Sequence, residues 1–191
     1  MPPLSTPSRT APLALPSDVA AHLQRFRLAL PDLLTADNPK TAKGSAVAYS
    51  VILHHLPGRS LAAAVPPGSR GATAPRSYLP DLAALAAEAG MMEAAQRWNG
   101  CPWATPGCSD ACLNWAGHGG LSPAVAAARG RRTLAMIADP SRYSRAILWA
   151  IARAWRTAQD AGLPLAVRLR GTDEGPRQGW HRQAFAVTIA D

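Results

Sequence analysis

Residues 122–162 limit the fold more than any other part of the sequence, because they encode two long helices in immediate succession. Ser122-Pro123 and Asp139-Pro140 each combine a capping residue with a proline, a pair that typically opens a helix. We therefore predict one helix to about residue 138 and a second one that stops at Gly162, because glycine commonly follows the last helical turn.

Short apolar runs flank these helices and predict strands. One is SAVAYSVILHH at residues 45–55, a second begins at Pro164 with PLAVRLR, and a third, QAFAVTIAD, covers residues 183–191. Helices placed between strands predict an α/β fold. We expect a small mixed or parallel sheet with flanking helices, and a partial barrel is one form that such a sheet can take.

The chain divides into a short tail and one domain. Residues 1–16 are rich in Pro and Ser, which predicts a disordered segment. Residues 17–191 have the length of a single α/β domain. Near its start we predict a helix that Pro31 ends or kinks, and further on an alanine-rich helix over 80–98 that Gly90 weakens.

The composition indicates a soluble, cytoplasmic protein. No apolar run approaches the roughly 20 residues that span a bilayer, and the proline-rich N-terminus does not fit a signal peptide. The 20 Lys and Arg residues exceed the 12 Asp and Glu residues, which gives a net charge of +8. Such a charge is typical of proteins that bind phosphate groups, and it also fits an ordinary basic surface.

All three cysteines of the chain, Cys101, Cys108 and Cys112, lie within twelve positions. An odd number of cysteines in a cytoplasmic protein argues against disulfides and for a metal or reactive site. Thiolates are soft ligands that suit Zn²⁺ and iron–sulfur clusters. Pro and Gly residues between the first two cysteines supply a turn, and the last two lie one helical turn apart. We predict that the three thiolates bind one metal centre.

The identity of that metal stays open. A tetrahedral zinc site needs four ligands, and His118 is the best candidate for the fourth, ahead of Asp110. A cubane iron–sulfur cluster held by three cysteines would leave one iron open for a further ligand. The spacing matches neither paired Cys-x-x-Cys motifs nor the bacterial ferredoxin pattern. The structural alternative is that the cysteines are buried as small apolar residues.

Four blocks of the sequence resemble, in order, the blocks of the gene product 88 family. They are NPKTAKG from residue 38, CPWATPGCSDACLNWAGHGG from residue 101, RGRRT from residue 129 and AVRLRGTDE from residue 166. The resemblance covers residues 38–180 and implies a phage or mobile-element protein without an established activity. The matching positions are Asn38, Lys40, Lys43, Gly44, Cys101, Cys108, Cys112, Arg129, Arg132, Thr133, Arg168, Gly171, Thr172 and Asp173.

The chain departs from the family pattern in two places. Residues 57–97 look like an insertion ahead of the cysteine block. Arg170 stands where the family has Asn, and the family carries an additional Ser before the Asp of the same block.

The order of strand, cysteine loop, helices, strand and Gly-Thr-Asp also resembles the layout of radical S-adenosylmethionine enzymes. By that analogy the cysteines would hold a cluster. The cofactor S-adenosylmethionine would bind at Arg168, Gly171, Thr172 and Asp173, with its amino group at Asp173 or Glu174. The cysteine spacing differs from that of those enzymes, and the same block is typical of a strand that ends in a turn. Whether the chain is an enzyme therefore stays open.

The second predicted helix carries an arginine stripe, which favours nucleic-acid binding as an alternative function. The stripe comprises Arg142, Arg145, Trp149, Arg153 and Arg156, and the opposite side is apolar, with Tyr143, Ile147, Ile151, Ala154 and Ala158. Arginine gives salt-dependent contacts with phosphate, and tryptophan can stack on an unpaired base. The patch could extend to Lys40, Lys43, Arg129, Arg131 and Arg132. The alternative is a solvated arginine face, with Trp149 packed against a neighbouring element.

Overall fold

A computed structural model describes residues 14–36, 47–58, 60–64, 79–102, 104–107 and 122–169. Its helices in these ranges are α1 (Ser17–Arg25), α2 (Ser60–Ala64), α3 (Pro80–Glu88), α4 (Met92–Arg97), α5 (Pro123–Ala138) and α6 (Pro140–Asp160). A 3₁₀ turn spans Leu30–Asp32, and the strands are β1 (Tyr49–Ile52) and β2 (Leu165–Arg168). Of the predicted disordered tail only residues 14–16 are described, and the predicted strand at 183–191 lies outside the described residues.

The two strands form a parallel pair, in which Tyr49 lies opposite Leu165 and Ile52 opposite Arg168. Five described helices, α2 to α6, lie between β1 and β2 along the chain, and a parallel connection requires such a crossover. On its other side β1 is bridged by Thr35, which exchanges two main-chain hydrogen bonds of 2.9 Å with Ile52. The predicted α/β class, with a small parallel sheet and flanking helices, is confirmed.

Both predicted helix starts in the most informative stretch are confirmed. The Ser122 hydroxyl accepts a hydrogen bond from the Val125 N–H at 3.4 Å, and the Asp139 carboxylate accepts one from the Arg142 N–H at 2.9 Å. Each cap satisfies a main-chain donor that the first helical turn leaves without a partner. The boundaries of α5 and α6 follow from these two side chains.

Three helices end in the same way, with a residue in the left-handed region after the last turn. Gly162 (φ +67°) ends α6, as its position in the sequence predicts, and Gly90 (φ +66°) ends α3. Gly90 therefore separates two helices, where we expected a single weakened one over 80–98. In α1 the same role falls to Arg27 (φ +53°), so that helix ends before Pro31 is reached.

The core lies between α1, α3, α5, α6 and the segment that follows β1. Its largest fully buried side chains include Phe26, Leu82, Leu134 and Tyr143. Helices α3 and α5 approach closely at Gly130, where a Cβ atom would lie only 2.3 Å from the Cδ2 of Leu82. Glycine in the RGRRT block therefore has a packing role, because a side chain there would force the buried Leu82 side chain to move.

The range that looks like an insertion, residues 57–97, contributes to this core. It contains α2, α3 and α4, whose buried residues Leu61, Leu82, Leu85 and Ala86 join the same apolar cluster. The described part of this range is therefore integral to the domain, whatever its status in relatives. No helix in the described ranges combines the length and apolarity needed to cross a membrane.

Candidate functional site

The carboxyl ends of β1 and β2 lie at the same edge of the sheet, because the strands are parallel. In open α/β sheets, ligands commonly bind beyond this edge. His54 and His55 follow β1 there, and the Arg168 carbonyl at the end of β2 accepts a hydrogen bond from the Leu53 N–H at 2.9 Å. The block Gly171-Thr172-Asp173 follows β2 in the sequence but lies outside the described residues.

Buried hydrogen bonds to helices α5 and α6 hold the segment that follows β1, residues 53–58. His55 and Tyr143, both almost fully buried, are joined through Nε2 and the phenolic oxygen at 3.0 Å. The Leu56 N–H donates to the Thr133 hydroxyl oxygen at 3.0 Å, and that hydroxyl donates to the Arg129 carbonyl at 2.8 Å. Helices α5 and α6 thus fix the main chain directly beyond the sheet edge.

Arg132 ties the same segment to the 3₁₀ turn. Its Nε donates to the Asp32 carbonyl at 2.6 Å and its Nη1 to the His54 carbonyl at 3.1 Å. Burial lowers the pKa of the Arg132 guanidinium, although arginine remains charged in proteins. We expected Arg132 to extend a basic surface patch. This was wrong, because its side chain is buried and its donors face two carbonyls.

We call these buried side chains (His55, Arg132, Thr133 and Tyr143) the framework. The cysteine segment begins next to the main chain that the framework holds. The Gly100 N–H donates to the Gly58 carbonyl at 2.9 Å, and a Cβ atom on Gly100 would lie 3.0 Å from the Leu56 carbonyl oxygen. The Cys101 N–H donates to the Asn99 side-chain oxygen at 3.0 Å. Cys101 itself is half-buried and carries a free thiol. Its main chain therefore starts from a position fixed relative to the residues that follow β1.

The chain turns immediately after Cys101, as the proline at position 102 predicts. The Ala104 N–H donates to the Cys101 carbonyl at 3.1 Å, which closes that turn. The other predicted metal ligands, Cys108, Cys112 and His118, lie outside the described residues. Within the described ranges no three His, Cys, Asp or Glu side chains are grouped as metal ligands would be. The three-cysteine centre accordingly stays a prediction.

The residues of the arginine stripe lie on the side of α6 away from the core, and the opposite side is buried at Tyr143, Ile147, Ala154 and Ala158. Arg142 forms ion pairs with Asp18 at 3.4 Å and with Asp139 at 2.8 Å. Arg145 pairs with the same Asp18 carboxylate. Partial desolvation raises the pKa of Asp18, but hydrogen bonds from Arg145 and Arg142 outweigh it and lower the pKa overall.

Arg142 and Arg145 therefore link α6 to α1 through their ion pairs with Asp18. Arg153 is exposed, while Trp149 and Arg156 are half-buried. Lys40 and Lys43, which would extend the patch, lie outside the described residues. Nucleic-acid binding by this face stays a prediction.

Sequence reasoning missed the buried framework itself. Tyr143 was assigned only to an apolar stripe, and Thr133 was recognised only through the family resemblance. His22, another missed residue, lies in the core and donates through Nε2 to the Ala135 carbonyl at 3.0 Å. Burial is the main cause that lowers the pKa of His22. The partners in these contacts are 77 to 113 positions apart, so no local pattern marks them.

Comparison with known proteins identifies a family. The model of the family described as Gene product 88 matches residues 36–179, about three quarters of the chain. The matched range includes the four sequence blocks, the framework residues Arg132 and Thr133, and both strands. No curated protein matches the chain, and no solved structure does.

Proposed function

The chain belongs to the gene product 88 family, and we propose that it is a phage or mobile-element protein that binds a metal centre through Cys101, Cys108 and Cys112. The centre is a zinc ion or an iron–sulfur cluster. The proposed centre lies next to the carboxyl edge of the parallel pair, beside the segment that follows β1.

The observation that supports this proposal most is the anchoring of Cys101. Metal sites are formed by ligands whose main chain is fixed by surrounding hydrogen bonds, because a mobile ligand would lose entropy on binding. Here two hydrogen bonds fix the main chain. One joins Leu56 to Thr133, and the other joins Gly100, directly before the cysteine, to Gly58. A half-buried free thiol at the end of such a support can coordinate a metal without rearrangement of the core.

The donor set fits soft metals. Three thiolates and an imidazole would complete tetrahedral zinc, with His118 as the fourth ligand. Three thiolates alone would suit a cubane cluster, whose open iron can take a further ligand. When bound, zinc would stabilise the loop, and a cluster would supply electron transfer or a binding position. The chain's own contribution is the rigid placement of Cys101 beside the sheet edge.

Metal analysis of protein purified without oxygen tests the proposal. We expect either one zinc per chain, or iron with an equal amount of sulfide and a broad visible absorption band. Cys101→Ser should lose most of the bound metal, whereas Ala104→Ser, in the same turn, should keep it. Protein that holds no stoichiometric metal, even after anaerobic reconstitution with iron, sulfide or zinc, would contradict the proposal.

Nucleic-acid binding is a second candidate, favoured by the exposed position of Arg153 on the outer side of α6 and by the net charge of +8. Binding of single-stranded DNA that weakens steeply with added salt would support it. Because Asp18 already pairs with two arginines, Arg153→Gln should weaken that binding more than Arg142→Gln. Equal binding by both variants and the unaltered chain would contradict this candidate.

A further inference from the structure

The indole N–H of Trp98 is a buried donor that has no acceptor among the described residues. Trp98 directly follows α4, and its Nε1 atom is shielded from solvent without a hydrogen-bond partner in that part of the chain. Nearly all buried donors in folded proteins are paired, because a donor that loses water and gains no acceptor costs free energy. The indole N–H can only donate, so it requires an acceptor from elsewhere.

Gly100 brings this donor to the main chain that precedes Cys101. A Cβ atom on Gly100 would lie 3.4 Å from the Trp98 Nε1 atom. The same Cβ atom would lie 3.0 Å from the Leu56 carbonyl oxygen and 3.4 Å from the Gly58 nitrogen. The edge of the indole therefore meets the hydrogen-bonded segment at the residue directly before the cysteine. The Leu56 carbonyl is close to this meeting point, yet Nε1 does not donate to it.

The chemistry next to this donor is that of sulfur. The Cys101 thiol is half-buried and free, and it is not a hydrogen-bond partner of Nε1. Sulfur atoms bound to one tetrahedral metal lie about 4 Å apart, so a centre on Cys101 would bring further thiolates close to the same groups. Metal-bound thiolates carry negative charge and accept hydrogen bonds, and such bonds orient the ligands and adjust the metal. A neutral indole N–H supplies such a bond without adding a charge.

We propose that the Trp98 indole N–H donates a hydrogen bond to a metal-bound thiolate of this centre. This inference rests on the proposed function, and it makes Trp98 a positioning residue for that site. The bond withdraws negative charge from the sulfur and fixes its direction relative to the metal. Metal binding thereby supplies the acceptor that the buried N–H lacks, so the metal-bound form gains more than the metal–sulfur bonds alone.

Nuclear magnetic resonance of the full chain tests the proposal, with a cadmium isotope of nuclear spin one half as the probe metal. Cadmium is a soft ion that binds thiolates. The Trp98 indole signal is recognised by its contact with the α-protons of Gly100. One equivalent of the metal should move this signal downfield and split it through coupling to the cadmium nucleus across the N–H···S bond. The indole signal of Trp155, which is exposed on α6, should not move.

Two variants give a matching measurement of affinity. Trp98→Phe should weaken cadmium binding about ten-fold in competition with a chelator, as the loss of supporting hydrogen bonds typically does, whereas Trp155→Phe should leave it unchanged. Thiolate-bound cadmium with an unmoved, unsplit Trp98 signal, or with equal affinity in Trp98→Phe, would overturn this proposal and leave the metal centre standing. If the ultraviolet charge-transfer band of thiolate-bound cadmium never develops, the proposed function is overturned, and this inference with it.

Discussion

The framework beneath Cys101 and the outer face of α6 are both built from arginine and polar side chains, but they use them in opposite ways. Arg132 is buried and donates to main-chain carbonyls, whereas Arg142 and Arg145 are solvent-accessible and pair with a carboxylate. A buried donor that is removed leaves carbonyls without partners, while a surface ion pair exchanges its partner for water. Position in the fold, and not residue type, thus decides how much each arginine contributes to the free energy of unfolding.

The largest expected effect is at Arg132. Arg132→Met keeps the apolar stem but removes both donors, so the Asp32 and His54 carbonyls lose those hydrogen bonds. We expect the free energy of unfolding to fall by about 2–4 kcal/mol. Urea unfolding measures this change.

Arg132→Lys is the control for charge. An ammonium group cannot donate in two directions with the geometry of a guanidinium, so this variant should recover only part of the loss. Full recovery would mean that charge alone matters, and an unaltered free energy in Arg132→Met would show that the buried framework contributes nothing.

A smaller effect is expected at Thr133. Thr133→Val preserves shape but leaves the Leu56 N–H without its acceptor, which should cost about 1–3 kcal/mol of the free energy of unfolding. Bound metal should also fall, since Leu56 precedes the residues that anchor Cys101. Thr157→Val, at an exposed hydroxyl on α6, should change neither quantity. Equal effects of the two substitutions would remove the distinction between the regions.

The next effect is on pH dependence. Because burial lowers the pKa of His22, the unfolded chain takes up a proton below about pH 6.5 before the folded chain does. The contribution of His22 to stability is therefore complete above about pH 6.5 and declines as the pH falls further. His22→Gln, which keeps a donor for the Ala135 carbonyl, should flatten this decline in urea unfolding measured at several pH values. An unchanged slope would contradict the assignment.

The smallest effect is expected on the outer face of α6. Asp18→Asn should lower the free energy of unfolding only slightly, and less in high salt, because Asp18 and its arginine partners are solvent-accessible. The matched variant Asp81→Asn, in the first turn of α3, gives the baseline for loss of an exposed carboxylate near a helix N-terminus. A loss at Asp18 as large as that at Thr133 would show that α1 depends on these ion pairs.

Local signals in the sequence predicted three boundaries of α5 and α6. Ser122, Asp139 and Gly162 act through hydrogen bonds or dihedral angles within a few residues, so their effect is visible without the fold. Arg27 shows the limit, since an arginine fills a position where glycine is usual and the helix end was predicted too late.

The framework could not be predicted in the same way. Arg132 meets its Asp32 partner across 100 positions, and in the sequence it stands among other arginines, which suggested a basic surface. Only the fold shows that Arg132 turns inward. At the candidate site, the sequence identified Cys101 as a metal ligand. It did not predict the hydrogen bond between Gly58 and Gly100 that positions Cys101 beside the segment after β1, because no local pattern indicates that contact.

X-ray absorption at the metal edge of anaerobically purified protein tests the metal centre most directly. For zinc we expect three sulfur ligands at about 2.3 Å, with a nitrogen at about 2.0 Å if His118 completes the site. For an iron–sulfur cubane we expect about four sulfur neighbours per iron, because each iron also binds three bridging sulfides. A spectrum that shows only nitrogen and oxygen around the metal would contradict the role assigned to the three cysteines.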